Sequence, residues 1–394
     1  MDLTVAGLIS GTSYDAIDVA VGRFSLSGDV ISLRPLGLRS TPLDGEFRAR
    51  IAALLPPNAT TIGEVCRLET ELGQRFGAAA AEANRCLAGG TADLVVSHGQ
   101  TVFHWVEDGQ AFGGLQLGAA AWIAEATGLP VISDVRTRDI ARGGQGAPLA
   151  STLDALLVLP PEGPRRGSLN LGGIANITVR DREGGVTAYD LGPAGALLDQ
   201  AVADATGGAE RVDRDGRLAG RGRVSGPLLE RFLADPYYAL PPPKSTGKER
   251  FHSGYTRSVV GSTPIGLEDL LATLTELTAR LVAGACDEWE LDELVCAGGG
   301  VRNPVLMERI ASLAPGVRVR AIEEFGLPAQ AKEGYLMALL GFLAWHGLEG
   351  TIPSATGAVK GSIVGSVTPG SRPLVLPSPV EVAPVRMVVE GIRV

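Results

Sequence analysis

Residues 4–22 read Thr4-Val5-Ala6-Gly7-Leu8-Ile9-Ser10-Gly11-Thr12-Ser13-Tyr14-Asp15-Ala16-Ile17-Asp18-Val19-Ala20-Val21-Gly22. Val5, Gly7 and Ile9 alternate into the small-residue cluster, and Ile17, Val19 and Val21 alternate out of it. That is the period of two strands joined by a turn. Small residues at such a turn expose successive backbone N–H groups, which form an anion-binding concavity. Hydroxyls of Ser10, Thr12 and Ser13 add donors, and Asp15 is a carboxylate able to hold a magnesium ion. A plain Ser/Gly turn with Asp15 and Asp18 in solvent fits the same residues. The pattern returns in residues 168–179, as apolar strand, Gly172-Gly173 turn and a second strand through Ile177 and Val179. This echo predicts two lobes built on similar sheets.

A third glycine element, Ala297-Gly298-Gly299-Gly300-Val301-Arg302-Asn303, follows the apolar strand 294–297 and precedes a helix opening at Pro304. Proline suits a first helical turn, where its missing N–H costs nothing. The glycines let backbone approach a flat ligand; a structural loop is the plainer reading, as it is for the Gly172-Gly173 hairpin. Apolar periodicity predicts helices over 67–87, 119–127, 267–289 and 333–345. The first carries Leu68, Leu72, Phe76, Ala79, Ala83 and Leu87 on one face. Short strands are expected at 94–97, leading into His98-Gly99-Gln100, and at 131–135, leading into the glycine-rich stretch 141–148. Residues 40–57 and 237–243 read as connectors, the second a stiff proline segment suited to a lobe boundary. Beyond residue 370 the pattern assigns nothing. Strands alternating with helices, plus early hairpins, predict α/β with mixed sheets.

The chain has 394 residues, enough for two lobes, with 45% hydrophobic and 20% charged residues, a globular balance. Its net charge of −9 repels phosphate backbones and argues against nucleic acid as a partner. An anionic ligand must then be held by local amides or a metal. Cys66, Cys86, Cys286 and Cys296 lack C-x-x-C spacing, which argues against a zinc site or a disulfide framework. Met1-Asp2 has no basic region behind it, and no apolar run reaches the ~20 residues of a membrane span. The expectation is a soluble cytoplasmic protein without a membrane partner. Neither common nucleotide fingerprint is present: Gly247-Lys248 is followed by Glu249, and no G-x-G-x-x-G opens a helix after a strand.

Two hairpin turns and a late strand-Gly-Gly-Gly-helix resemble the phosphate-1, phosphate-2 and adenosine elements of the actin/Hsp70/sugar-kinase superfamily. Seven strings in order resemble one family within it, the anhydro-N-acetylmuramic acid kinases. They are Gly7-Leu8-Ile9-Ser10-Gly11-Thr12-Ser13; Ser97-His98-Gly99-Gln100-Thr101; 134–139 with Gly143-Gly144-Gln145-Gly146-Ala147-Pro148-Leu149; Gly172-Gly173-Ile174-Ala175-Asn176; 190–193; Pro243-Lys244-Ser245-Thr246-Gly247; and Asn303-Pro304-Val305-Leu306-Met307. The resemblance runs from near residue 5 to about residue 360. It implies an α/β, two-lobe actin-like ATPase (ribonuclease H-like) fold with an interlobe active-site cleft. Residues 1–132 plus 351–394 would form the N-terminal lobe and 133–350 the C-terminal lobe.

The resemblance further implies a homodimer that uses ATP and Mg²⁺ to phosphorylate O6 of a 1,6-anhydro sugar while water opens the anhydro ring. The product would be N-acetylmuramic acid 6-phosphate, in peptidoglycan recycling and amino-sugar catabolism. O6 of such a sugar carries no proton, so a base must activate water to attack C1 and release O6 towards the γ-phosphate. Carried over residue by residue, Asp190 is that base. Gly11, Thr12, Ser13, Tyr14, Asp15, Ala16, Ile17, Asp18, Gly172, Gly173, Asn176, Gly298, Gly299, Gly300 and Asn303 contact ATP. Asp15 and Glu333 hold the metal. His98, Gln100, Arg136 and Asp139 serve the sugar, unless His98 is a satisfied structural histidine and Arg136 pairs with Asp139. Glu333 also suits a helix first turn for its dipole alone. Lys244-Ser245-Thr246 is expected near the active cleft, unless Lys244 forms an interlobe ion pair.

Several positions depart from the family pattern: Tyr14 and Ala16 in the first turn, Leu191, Ala194 and Gly195 after the base, and Ala119. The expectation is that these remove polar groups near the sugar and bear on its identity more than on phosphoryl transfer. Two alternatives stand beside the main reading: a kinase for another anhydro sugar such as levoglucosan, and a non-catalytic ATP- or sugar-binding regulator.

Overall fold

The computed structural model describes residues 2–11, 13–242, 244–247 and 250–391. Thr12, an expected ATP contact, lies outside the described residues, as do Pro243, Lys248 and Glu249 of the strings above. In chain order the strands are β1 (Asp2–Ser10), β2 (Ala16–Ser27), β3 (Val30–Pro42), β4 (Leu94–Glu107), β5 (Gln110–Leu117), β6 (Val131–Ser133) and β7 (Arg166–Leu171). They continue as β8 (Ile174–Arg180), β9 (Val186–Pro193), β10 (Glu293–Ala297), β11 (Arg318–Ala321), β12 (Ser366–Thr368) and β13 (Arg386–Val389).

The chain divides into two compact units, residues 1–157 with 325–394 and residues 158–324. The divisions fall at 157/158 and 324/325, not at the expected 132/133 and 350/351. Two contacts explain the difference. The helix Ala150–Leu157 packs on β13 and on the helix Lys332–Trp345, and that second helix packs on β1, β2 and β4, so both ends of the expected second lobe belong to the first.

The first unit holds an eight-stranded sheet of order β12-β6-β4-β1-β2-β3-β13, with β5 on β4. Alternation in β1 and β2 gives it two apolar faces. Ala6, Leu8, Ile17, Val19 and Val21 turn to one side and bury with Phe47, Leu68, Leu72 and Phe76 from the helices Gly45–Leu54 and Ile62–Leu87. Gly7, Ala20, Gly22 and Phe24 turn to the other, towards the helix Lys332–Trp345, where Phe24 and Phe342 stack with ring centroids 5.5 Å apart.

The second unit holds a five-stranded sheet of order β11-β10-β7-β8-β9. Leu169, Ile177, Tyr189 and Leu294 pack there against Val282 and Cys286 of the helix Leu267–Glu288 and Ile310 of the helix Pro304–Leu313. A second cluster fills the far side of that long helix with Leu197, Leu228, Phe232 and Phe251. In both units an antiparallel three-strand meander is extended from its first strand by parallel strands, β3-β2-β1-β4-β6 in one and β9-β8-β7-β10-β11 in the other. The sequence echo is therefore a topological repeat, that of the ribonuclease H-like, actin-like ATPase fold.

Three stretches differ from the expectations. Residues 40–57 contain the end of β3 and a helix, Gly45–Leu54, whose Asp44 cap accepts from the Phe47 N–H at 2.8 Å. Residues 237–243 lie within the second unit, not at a division. The unassigned tail supplies β13, which pairs with β3 at the sheet edge opposite β12. Among the described residues no helix is long and apolar enough to cross a membrane.

Candidate active site

Open α/β sheets place ligands outside the carboxyl ends of their parallel strands. In the first unit that edge carries the turn between β1 and β2. The turn is closed by the Tyr14 N–H donating to the Gly11 carbonyl at 3.0 Å, and the Leu43 N–H donates to the Asp15 carbonyl at 2.8 Å. Tyr14 holds φ 40° and packs partly against the core, which accounts for an aromatic residue at this point of the turn. Asp15 and Ser13 are exposed.

Gln100 was expected to touch the sugar, but only 1% of it is exposed. Its Oε1 accepts from the Ser10 hydroxyl at 2.7 Å, and its Nε2 donates to the Thr101 carbonyl at 3.2 Å and the Gly11 carbonyl at 3.4 Å. It braces the turn from inside. The cause is a register slip: β1 and β4 pair Leu8 with Ser97 but Ser10 with Gln100. Gly99 absorbs the slip at φ 72°, where a Cβ would stand 2.7 Å from the Leu117 carbonyl oxygen.

Glu333 reaches this edge because two glycines let helix and sheet touch. A Cβ at Gly7 would stand 2.1 Å from the Gly334 carbonyl oxygen, and one at Gly334 would stand 2.7 Å from the Ala20 Cβ. Behind Glu333, Lys332 forms a buried ion pair with Asp154, Nζ to Oδ1 2.7 Å. The Glu333 side chain meets solvent, yet the surrounding protein and then the charge of Asp18 raise its pKa, against the pull of Lys332 and Arg136. Two carboxylates in repulsion are what a divalent cation relieves, and magnesium characteristically takes one or two carboxylates beside water and phosphate oxygens. Glu333, facing Asp18, fits that ion on these grounds, and Asp15 lies exposed on the same turn. No denser group of three or more ligating side chains exists among the described residues.

The remaining expected sugar residues form a chain of contacts. Arg136 donates from Nε to His98 Nε2 at 2.9 Å and from Nη1 to the Gly146 carbonyl at 2.6 Å. With Nε2 accepting, His98 must carry its proton on Nδ1, which lies 3.0 Å from the Gly99 carbonyl. Burial, then the neighbouring Arg136 charge, depresses the His98 pKa to about 4, so the ring is neutral. Of the two open readings, the satisfied structural histidine describes this ring. Asp139 is likewise corrected. It is 0% exposed, its Oδ2 accepting from the Gly146 N–H at 2.9 Å and its Oδ1 from the Thr356 hydroxyl at 2.8 Å. A Cβ on Gly144 would stand 2.2 Å from that Oδ2. Asp139 therefore folds the glycine-rich loop instead of meeting a sugar or pairing with Arg136, and Arg136 is the partly exposed member of the four.

The second unit gathers its elements at the carboxyl ends of β7, β9 and β10. The carbonyls of Gly172 and Gly173 accept from the N–H groups of Ala194, Gly195 and Ala196, which ties the turn to the start of the helix Gly195–Ala205. Gly298 holds φ 89°, where a Cβ would stand 2.7 Å from Asn170 Oδ1 and from the Leu171 carbonyl oxygen. Gly300, where a Cβ would stand 2.7 Å from the Leu171 Cβ, is as tightly held, so these two glycines are what lay the loop across the end of β7. Asn303 is half-buried and spends its Oδ1 on the Leu306 N–H at 3.1 Å, capping the next helix.

Asp190 is half-buried, opposite Asn176 where β9 bulges against β8. Its Oδ2 accepts from the Thr246 N–H at 2.8 Å, its carbonyl from the Tyr237 hydroxyl at 2.9 Å, and its N–H donates to the Lys244 carbonyl at 3.0 Å. Tyr237, which the sequence reading placed only in a connector, and Thr246, expected near the cleft, are residues that hold Asp190. Lys244 makes its contacts inside the second unit, on the Tyr237 and Tyr238 carbonyls.

Of the six departures from the family pattern, two are buried and four are half-buried. Leu191 and Ala194 are 5% and 2% exposed and belong to the sheet core. Leu191 and Ala194 therefore bear on the packing of the sheet. Ala119 offers the helix Ala120–Thr127 no side-chain cap, and Glu69 accepts from the Gly118 N–H just ahead of it at 2.6 Å.

The model of the family described as anhydro-N-acetylmuramic acid kinase matches residues 3–370. A protein of that name from Streptomyces avermitilis is 54% identical over 389 residues, covering 98% of this chain and 100% of its own length. Another, from Rhodococcus erythropolis, is 48% identical and covers 99% of this chain and 100% of its own. Among solved structures, a ROK hexokinase from Thermus thermophilus aligns with a TM-score of 0.36 at 16% identity, over 87% of this chain and 99% of that one. A family match across nearly the whole length, with relatives near half identity, places this chain in the anhydro-N-acetylmuramic acid kinase family.

Proposed function

We propose that this kinase uses ATP and water to convert 1,6-anhydro-N-acetylmuramic acid into N-acetylmuramic acid 6-phosphate. Asp190 takes a proton from water as the water oxygen attacks C1. The C1–O6 bond breaks, O6 attacks the γ-phosphorus, and ADP leaves. The amides of the two glycine turns hold the phosphates, and the triplet at Gly298–Gly300 receives the adenosine. Magnesium, when bound by Asp15 and Glu333, supplies charge neutralisation at the phosphate oxygens. Arg136, with its His98 and Gly146 contacts, contributes a fixed cation on the sugar side. Gln100 serves ATP through the turn it braces. Cytoplasmic location and homodimeric assembly belong to the same reading.

The observation that carries it is the half-exposed Asp190 carboxylate, oriented by a backbone amide at the carboxyl edge of its sheet. Asp190→Asn tests it. A positioned general base contributes about 10²–10⁴-fold, so turnover falls by that order while ATP binding by calorimetry is retained. Wild-type turnover in that variant removes Asp190 from the mechanism. Levoglucosan, which lacks the lactyl and acetamido groups, is the comparison substrate in the same ADP-release assay.

A further inference from the structure

Lys244 is the half-buried cation of the Asp190 neighbourhood, and the structure gives it an unusual setting. Its ammonium donates to the Tyr238 carbonyl at 3.0 Å and lies 3.4 Å from the Tyr237 carbonyl. It also stands 5.1 Å from the Tyr237 ring centroid and 5.8 Å from that of Tyr189. Burial lowers its pKa, while the charge of Glu288 acts the other way. A desolvated cation resting on neutral carbonyls and ring faces is a costly arrangement for a lysine that only had to be soluble.

What the arrangement accomplishes is visible two residues on. Residues 244–247 belong to no helix or strand, so the ladder bonds of a sheet do not hold them. They nevertheless deliver two of the contacts on the base: the Lys244 carbonyl takes the Asp190 N–H, and the Thr246 N–H reaches Asp190 Oδ2. The third contact, from the Tyr237 hydroxyl to the Asp190 carbonyl, comes from the residue whose own carbonyl faces the Lys244 ammonium. Each bond on Asp190 described here therefore passes through residue 244, 246 or 237. Tyr237 is itself fixed by edge contact with Phe251, ring centroids 5.9 Å apart.

We propose that Lys244 is a positioning residue for Asp190: its ammonium staples the irregular 244–247 segment to the Tyr237–Tyr238 backbone, so that the Thr246 amide fixes the rotation of the carboxylate. This rests on Asp190 as the general base. The ionisable groups around the segment include Tyr189, Tyr237, Tyr238, Lys244, Glu288 and the Arg250–Asp235 ion pair beside the Tyr237 ring, with Glu288 acting on both Lys244 and Tyr189. An N–H donated to a carboxylate favours its ionised form, so a loosened segment leaves Asp190 holding its proton to higher pH.

The experiment compares Lys244→Met, which keeps the apolar stem, with Lys244→Arg, which keeps the cation. Both are assayed for ADP release from the anhydro sugar across pH 5–9, alongside their thermal melts. The expected result for Lys244→Met is a kcat lowered about tenfold or more with KM for ATP unchanged. The acidic limb of its kcat profile moves up by roughly one pH unit, and the arginine variant recovers most of both. A Lys244→Met enzyme with wild-type kcat and an unmoved limb overturns the proposal. So does a kcat loss without a limb shift, or one that arginine does not rescue, since a direct sugar contact or general destabilisation then suffices. A wild-type enzyme that turns over no anhydro sugar defeats the functional reading itself, a result recognisable before any variant is made.

Discussion

Gly7→Ala isolates the contact that brings Glu333 to the phosphate turn. The new methyl carbon would lie 2.1 Å from the Gly334 carbonyl oxygen and 2.4 Å from the Ala338 nitrogen. Non-bonded heavy atoms settle at about 3.5 Å, so strand β1 and the helix Lys332–Trp345 must part by roughly 1.4 Å. Both obstructing atoms are backbone, so no rotamer change relieves the overlap. Overpacking typically costs about 1–3 kcal/mol, and this case belongs at or above the top of that range. Urea unfolding at neutral pH reads the stability, and a magnesium titration of turnover reads the displacement of Glu333. The expected outcome is a loss of about 3 kcal/mol with a raised magnesium requirement. Gly11→Ala is the control: a Cβ there meets nothing within 4 Å, so stability holds to within about 0.5 kcal/mol. A Gly7→Ala protein that unfolds at the wild-type urea concentration refutes the close-approach argument, as does equal damage from Gly11→Ala.

His98 makes a pH prediction. Its folded pKa, about 4, lies below the ordinary 6.5, so the unfolded chain binds a proton that the folded one refuses. The stabilisation is complete above about pH 6.5 and drains away as pH falls towards 4, to a total of about 3 kcal/mol. Urea midpoints measured from pH 7 to 4.5 should fall less steeply in His98→Gln; an unchanged slope counts against the buried neutral ring. Gln100→Leu removes the acceptor of the Ser10 hydroxyl, which is 2% exposed, at a cost of about 1–3 kcal/mol. If the loosened turn loses one such unit of binding, KM for ATP rises about tenfold. A destabilised variant with wild-type KM would make Gln100 structural only.

The strands around the first turn were legible because β1 and β2 alternate strictly and bury both faces. The echo at 168–179 was legible for the same reason, and it proved to be a repeat of strand order. Residues 40–57 were not. Phe47, Ile51 and Leu54 have helical spacing, but Arg48, Arg50 and the prolines at 56 and 57 mask it, and β3, beside the edge strand β13, carries Arg34-Pro35. Site residues divided along another line. Asp190 and the glycine elements lie at strand ends and turns, which the alternation of the flanking strands locates directly. His98, Gln100 and Asp139 were right in type and wrong in direction. Residue identity says what a side chain can bond; the register slip at Gly99 turns Gln100 inward, and the glycine-rich loop closing over Asp139 buries that carboxylate. Gly7 shows the same limit: its reason is a helix more than three hundred positions away.

That distance has a consequence for the nascent chain. One face of β1, β2 and β4 is covered by the helix Lys332–Trp345, and residues 158–324, a contiguous compact unit, are translated between them. The inserted unit has every segment it needs while the flanking one still lacks its lid. Val5, Phe24 and Val96, fully buried in the finished protein, therefore wait exposed through the synthesis of the whole insertion. Such a surface attracts chaperones and, when they are short, other half-made copies of itself.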